Sequence, residues 1–576
     1  MKEKEVSPDE IIHGILGASG LFAAVFFGPA FFYLLWAWKN SRFIHRLGVF
    51  RPIIYSFLAL IPALSIWFLW LDTHPLYELQ FLKLPATFGI RWLALARILV
   101  IGWWIGSCIA VALSPLVLIF KKDEEAIRTS DFKSKVKNFN GVREVFEDPM
   151  TAPIGIDLKT GAVVSLTEQK RCSHVIVLGA TGAGKTTLLC NLVLHTIRHG
   201  QPCLVIDPKG EDSTLRLIRK IGGQLSDNLD SRFKVFKMSS PAESCQYNPL
   251  KHGSAIQLKD RILEALNWSE QYYQSIAGDF LTVLTACTEK IGVGLTLELV
   301  SQALGDKLVQ KDILGKLREQ GKSGDRKAEE LFERFSLLLG KVKAEDLLGL
   351  QAQLSMLNSP SLGHLLSFET SSNEIDLREV LKNKQIAYFQ LDTLGNPDTA
   401  RRLGRMIIED IKSLASEVYR ITSEEERKFF PIFIDEFGSF ASKEFIEVLK
   451  QIRGARFGTH LFAQGLEDLD VVSPEFRRQA SSNPITKIAF RLDDNETVNE
   501  ICSMAGTIES LEQSYQVEGK FAPTKTGLGN LRETRQMVVE YDVLKNLNTG
   551  QAVVIRKSPS QVSGVQVFLP SVLICD

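Results

Sequence analysis

Residues 174–189 read HVIVLGATGAGKTTLL, and they contain the chain's clearest chemistry. An apolar strand, Val175 to Leu178, runs into Gly179-x-x-x-x-Gly184-Lys185-Thr186, and a helix follows from Thr187. This is the pattern of a phosphate-binding loop. Over Gly179, Ala180, Thr181, Gly182, Ala183 and Gly184 the backbone can curl so that successive N–H groups face phosphate oxygens. The helix N-terminus beyond, at Lys185, Thr186 and Thr187, adds its positive dipole end. In this reading Lys185 reaches the β- and γ-phosphates of ATP and the Thr186 hydroxyl takes a position on Mg²⁺.

A second apolar strand, in PIFIDEFGSF, ends in Asp435-Glu436. Asp435 is expected in the Mg²⁺ shell, directly or through water, and Glu436 as the base that orients and deprotonates the attacking water. Gln464 stands at the tip of a further strand, HLFA, and is expected to sense the γ-phosphate. Arg453 and Arg456 lie between them in sequence. One of the two, with Arg453 preferred, is expected to enter a neighbouring subunit's site and stabilise charge in the transition state. Asp207, Lys209 and Glu211 follow the strand CLVID, where parallel α/β sheets place ligand loops. Nucleotide, metal and a neighbouring subunit all stay open as their partners.

The elements that must position these groups form an α/β pattern. Strands are expected at Val163-Val164, Val175–Leu178, Cys203–Asp207, Phe233–Phe236, Ile386–Leu391, Phe430–Ile434, His460–Ala463 and Ile488–Leu492, with Ala552–Ile555 closing the set. Residues 256–366 are instead leucine-rich, charged and nearly free of proline, with apolar residues at spacings of three and four, which predicts helices. The chain divides into a membrane anchor over 1–120, a linker over 121–150, a RecA-like nucleotide-binding domain over 151–255 and 367–576, and an inserted all-α domain over 256–366.

Three apolar runs fill the first 120 residues: Ile11–Trp38, Pro52–Leu71 and Ile98–Phe120. Each is long enough to span a bilayer. Lys39, Arg42, Arg46 and Arg51 between the first two, and Lys121 and Lys122 after the third, put those segments on the cytoplasmic side. The expectation is a multi-pass membrane protein with three spans, or two if one run lies in the interface. The 67 basic and 67 acidic residues cancel, so any nucleic-acid contact must be local or created by assembly. None of the eight cysteines falls in a C-x-x-C pair, which leaves no zinc pattern.

Taken in order, the apolar N-terminal region, GATGAGKTT at 179–187, DPKGE at 207–211, NPL at 248–250, the helical insertion, IDE at 434–436, and Arg453 eleven residues before Gln464 resemble the type IV coupling proteins of conjugation and secretion, the TraD/TraG/TrwB-like group. The resemblance covers roughly 11–576. It implies a homo-hexameric ring beneath a bacterial inner membrane, its ATPase domain in the cytoplasm, with ATP and Mg²⁺ at subunit interfaces. It also implies an all-α domain that receives a relaxase–single-stranded DNA complex, or an effector protein, and delivery of that substrate to type IV secretion channel components. The chain departs from the group in having three apolar runs where two are usual, and in lacking a long C-terminal extension. A FtsK/HerA-like motor on double-stranded DNA and a substrate-recruiting scaffold are the alternatives. An intact Glu436 speaks against the scaffold.

Overall fold

The computed structural model describes residues 146–573, apart from 368–372, 443–444, 471 and 519–523. Its centre is a sheet of eleven strands: β1 Thr151–Asp157, β2 Val163–Thr167, β3 Val175–Leu178, β4 Cys203–Asp207, β5 Phe233–Lys237, β6 Ile386–Gln390, β7 Phe430–Ile434, β8 Phe457–Ala463, β9 Thr486–Ala489, β12 Gln551–Lys557 and β13 Ser560–Val567. Strands β10 Thr507–Glu518 and β11 Thr524–Met537 pair only with each other, as an antiparallel hairpin.

The sheet order is β2-β1-β13-β12-β9-β3-β8-β7-β4-β6-β5. From β9 to β5 every pair is parallel, and from β9 outward through β12, β13, β1 and β2 every pair is antiparallel. The parallel strands read as continuous apolar runs because both faces are covered. Alternation sorts them: Val175 and Val177 join the core on one face, and Ile176 and Leu178 the core on the other. Helices α1 Lys185–Arg198 and α2 Ser213–Leu225 cover the first face.

The other face carries the helical segment: α3 Ala255–Ala265, α4 Gln271–Ile291, α5 Leu297–Gly305, α6 Lys307–Lys322, α7 Arg326–Lys341 and α8 Ala344–Leu357. Two further helices, α9 Pro397–Ile421 and α10 Phe445–Ile452, join that layer. Sequence caps define several of these helices. Ser254 and Gln257 form a reciprocal capping box on α3, and Thr296, Asp306 and Asp325 accept N–H bonds at the starts of α5, α6 and α7. Arg261 of α3 is fully buried and pairs with Asp410 of α9 at 3.1 Å, while Tyr247 donates to the same carboxylate at 3.0 Å. This charge-assisted contact ties the helical segment to α9.

The placement as a multi-pass inner-membrane protein is corrected: among the described residues no helix is long and apolar enough to cross a membrane. The longest, α9, has 25 residues but carries Arg401, Arg405, Glu409, Asp410, Lys412 and Glu417 along its length, so it is amphipathic. The three apolar runs behind that placement lie outside the described residues, as does most of the expected linker. A second correction concerns Ala552–Ile555, which does not close the strand set. Strand β13 follows it and inserts between β12 and β1.

Candidate nucleotide site

Strand β3 ends at Leu178 and α1 begins at Lys185, so the whole loop Gly179–Gly184 lies at the carboxyl ends of the parallel strands. Two glycines are forced by geometry. A Cβ on Gly179 would stand 2.7 Å from Cβ of Phe490, and Gly184 has φ +121°, a conformation closed to side-chain-bearing residues. The loop is also pinned by its neighbours. Ala180 N–H donates to the Arg491 carbonyl at 2.7 Å, Gly179 N–H to that of Gln464 at 3.2 Å, and Gly550 N–H to that of Ala183 at 2.9 Å.

Lys185 is buried, with its ammonium on the carbonyls of Gly179 and Ala180. Burial depresses its pKa, and the nearby Asp435 and Glu436 pull the other way while Lys209 adds to the depression. Thr186 and Thr187 are half-buried in the first turn of α1.

Strand β7 lies two places from β3, separated by β8. It delivers Asp435, which is buried and tied by its N–H to the Ile206 carbonyl at 3.0 Å. Glu436 follows in the left-handed region, at φ +42°, with about a third of its side chain exposed. A non-glycine residue held there is a strained turn of the kind that accumulates at functional sites. Lys209 has partners within its own chain. Its ammonium lies 2.9 Å from Asp435 Oδ2 and 3.5 Å from Glu436 Oε1, so it bridges the acidic pair. Those carboxylates outweigh its partial burial and raise its pKa. Asp207 orients the same loop. It accepts from the Lys209 N–H at 2.9 Å and from the Tyr388 hydroxyl at 2.5 Å, and burial pushes its carboxyl up to about 6.

Lys185, Lys209, Asp435, Glu436 and Gln464 therefore lie at the carboxyl ends of four adjacent central strands, β3, β8, β7 and β4. Beside them opens a cleft of about 1020 Å³, whose lining includes Glu436, Gln464 and Asp468. Gln464 is exposed to it.

Arg453 is not in this group. It lies in a 3₁₀ turn just before β8, at the amino ends of the strands. The seven residues of β8 separate it from Gln464, roughly 23 Å at the strand rise per residue. Its charge adds, after burial, to the depression of the His174 pKa. Among the described residues the exposed Arg453 guanidinium has no ion-pair partner. Its turn is braced: the Tyr419 hydroxyl donates to the Gln451 carbonyl at 2.7 Å, and Arg427 donates to that of Gly454 at 2.9 Å. Arg456 differs sharply. It is engaged within the fold, paired with buried Glu168 and donating to the Arg427 carbonyl at 3.2 Å.

A glycine-rich loop between strand and helix, an acidic strand end two strands away and a parallel sheet define a P-loop nucleotide-binding protein of the RecA-like α/β class. Two family models match the chain: "Helicase HerA, central domain" over residues 164–411, and "TraM recognition site of TraD and TraG" over residues 430–548. The type 4 coupling protein DotL of Legionella pneumophila subsp. pneumophila is 22% identical over 442 residues, which are 65% of this chain and 54% of that relative. The chain thus spans about half the length of the curated relative it matches. Among solved structures, the bacterial conjugative coupling protein TrwBdeltaN70, in an unbound monoclinic form, matches with a TM-score of 0.50 at 14% identity, covering 74% of this chain and 91% of that one. The plasmid coupling protein TrwB in complex with the GTP analogue GDPNP matches with 0.48 at 15% identity, covering 70% and 88%. The first of these likenesses is one of fold. The chain is a relative of the type IV coupling proteins, as its motifs led us to expect.

Proposed function

We propose that this chain is an ATP-hydrolysing coupling protein, assembled as a homo-hexamer, which takes a relaxase–single-stranded DNA complex or an effector protein and drives it into a type IV secretion channel. The observation that supports this reading best is the convergence of Lys185, Asp435 and Glu436 at the carboxyl ends of the central strands, in a chain whose residues 430–548 match the TraD/TraG description.

In this reading Lys185 leaves its loop carbonyls for the phosphates of ATP. Thr186 and Asp435 are oxygen donors of the kind a hard cation takes, and Mg²⁺ between them would neutralise charge on the phosphates. Glu436 holds the attacking water and accepts its proton as the new P–O bond forms and the bond to the ADP oxygen breaks. Gln464, exposed at the next strand tip, contacts the γ-phosphate. Arg453 lies at the opposite ends of the strands from its own subunit's loop, so in this scheme it serves the neighbour's nucleotide. Segment 256–366 is the all-α domain of this scheme, and 151–255 with 367–576 the nucleotide-binding domain.

The HerA match supports a second reading, a motor on double-stranded DNA. The deciding experiment is ATP turnover by the purified full chain with single-stranded DNA, duplex DNA or neither, alongside a plasmid-transfer assay in a strain lacking this gene. Single-strand stimulation with restored transfer is expected. Stimulation by duplex alone favours the HerA-like motor, and absence of turnover overturns both.

A further inference from the structure

The cleft beside Glu436 has a second wall that the hydrolysis scheme does not use. Helix α9 presents Arg401, Arg402 and Arg405 to it, within little more than one helical turn. Across from them stand Asn267, Trp268 and Gln274, from the α3–α4 connection and the start of α4.

Arg402 is the unusual member. It is only 6% exposed, yet among the described residues no carboxylate pairs with it. Its Nη1 faces the sulfur of Met356 at 2.8 Å, and its buried Nε has no partner. A buried guanidinium without a counter-charge is costly, because the protein interior compensates a charge far less well than water does. A residue in that condition on a cleft wall is built to receive an anion. Arg405 reinforces the wall by donating to Asn267 Oδ1 at 3.0 Å, and Arg401 lies beside Asp398 at 3.3 Å.

Carboxylates also line the cleft, but they are segregated. Glu436 and Asp468 sit at the phosphate-loop end, where both act on the charge of Lys185, and Asp398 is matched by Arg401. Glu264 lies on the helical wall. The cleft is thus acidic toward the nucleotide and basic toward α9. Trp268 adds a flat surface. Its Nε1 donates to the Leu263 carbonyl at 2.9 Å, which fixes the ring, and the ring is half-exposed. An arginine wall facing an immobilised aromatic is how proteins hold an unpaired strand, with phosphate on the guanidinium and base on the ring.

We propose that Arg401, Arg402 and Arg405 bind the phosphodiester backbone of single-stranded nucleic acid in this cleft, with Trp268 stacking a base, next to Glu436 and Gln464. The assignment rests on the functional reading above and names the substrate contact within it.

The test is fluorescence anisotropy of a labelled oligothymidine on the full-length chain, titrated across salt concentrations. Arg402→Met keeps the side chain's bulk, and Arg401→Gln alters an exposed position that cannot threaten the fold. Each should weaken binding about tenfold and lower the log–log salt slope by about 0.7, the value for one lost phosphate contact on a single strand. Trp268→Ala should weaken binding with the slope unchanged, and Trp268→Phe should restore most of it. Wild-type affinity and slope in folded Arg402→Met and Arg401→Gln proteins overturn the proposal. So does unchanged DNA binding accompanied by lost binding of a polyglutamate peptide, which gives the wall to an acidic protein segment, or by lost ring assembly, which gives it to a neighbouring copy. A wild-type chain that binds no single strand overturns the functional reading as well, so the two failures are distinguishable.

Discussion

The parallel strands carry unusual polar residues at both ends, and the two ends behave differently. At the amino ends, His174 sits in the left-handed region at φ +61°, as Glu436 does at the carboxyl ends. Yet His174 is closed into the fold. Its Nε2 lies 2.7 Å from the Leu449 carbonyl, and its Nδ1 accepts from the Thr459 N–H at 3.2 Å. Arg171 donates to His460 at 3.2 Å and lies over the Phe429 ring at 4.8 Å. At the carboxyl ends Glu436 opens onto a large cleft, with the part-exposed Lys209 as its partner. Backbone strain and buried charge therefore do not mark function by themselves. Access to a cleft separates a residue that acts from one that holds the sheet together.

The largest effect that can break this contrast is at the loop. Lys185→Ala should lose nucleotide binding, read by a fluorescent ATP analogue, because no other described cation is seated on the Gly179–Gly184 loop. Retained binding would detach the cleft from nucleotide altogether. Glu436→Gln should keep the analogue bound while turnover falls by about 10²- to 10⁴-fold, the usual contribution of a general base. Wild-type turnover in this variant would place the base elsewhere, with Lys209's other partner Asp435 the next residue to replace.

Arg453 sharpens the contrast from the other end. Placed roughly a strand's length from Gln464, it is too far to reach its own subunit's nucleotide, and in the proposed ring it would serve a neighbour's. Arg453→Ala should bind nucleotide normally and turn it over about 10³-fold more slowly, as loss of such an arginine does in known cases. Mixed with Lys185→Ala, it should regain activity, because an intact loop from one variant can meet an intact Arg453 from the other. A flat rate across mixing ratios, in preparations shown to contain mixed rings, counts against the assignment. Arg456→Ala should behave oppositely. It breaks the pair with Glu168, so the melting temperature should fall and no mixing should rescue it.

How much of this was legible depends on burial. VIVL, CLVID and FPIFI are buried on both faces, so their uninterrupted apolar runs give the parallel strands directly. Strand β1, TAPIGID, was hidden by its proline and glycine, and β10, TIESLEQSYQVE, by its polar composition. The glycine-rich loop was readable because its backbone geometry demands glycine at fixed positions, and the acidic pair because it ends an uninterrupted apolar strand. Arg453 and Gln464 were readable only as candidates, since nothing local says that β8 holds them at opposite ends. The bridge from Lys209 to Asp435 spans 226 positions and leaves no periodic trace. Arg401, Arg402 and Arg405 read as an ordinary solvated helix face. Only the fold reveals that Arg402 is buried.

The smallest predicted effect tests the contrast through pH. At the amino ends, burial above all depresses the pKa of His174 from 6.5 to about 4. The unfolded chain takes up that proton below about pH 6.5 while the folded chain refuses it. Stability contributed by the neutral ring is present above that pH and is lost as acid is added through pH 4, to a limit of about 3 kcal/mol. At the carboxyl ends, burial raises the Asp207 carboxyl from 3.8 to about 6, which gives the opposite sign. The folded state takes up this proton first, so acidification from pH 6 toward 4 gains stability by a similar amount. The two ends should therefore partly cancel in the wild type between pH 6.5 and 4. Replacing one at a time separates them. His174→Asn, which tolerates the left-handed backbone, should leave a melting temperature that falls less on acidification than the wild type's. Asp207→Asn should leave one that falls more. Identical pH dependence in all three proteins would mean that neither group is held as the fold suggests. A shift of both variants in the same direction would mean that the two ends of the sheet are not electrostatically distinct, and the comparison would lose its basis.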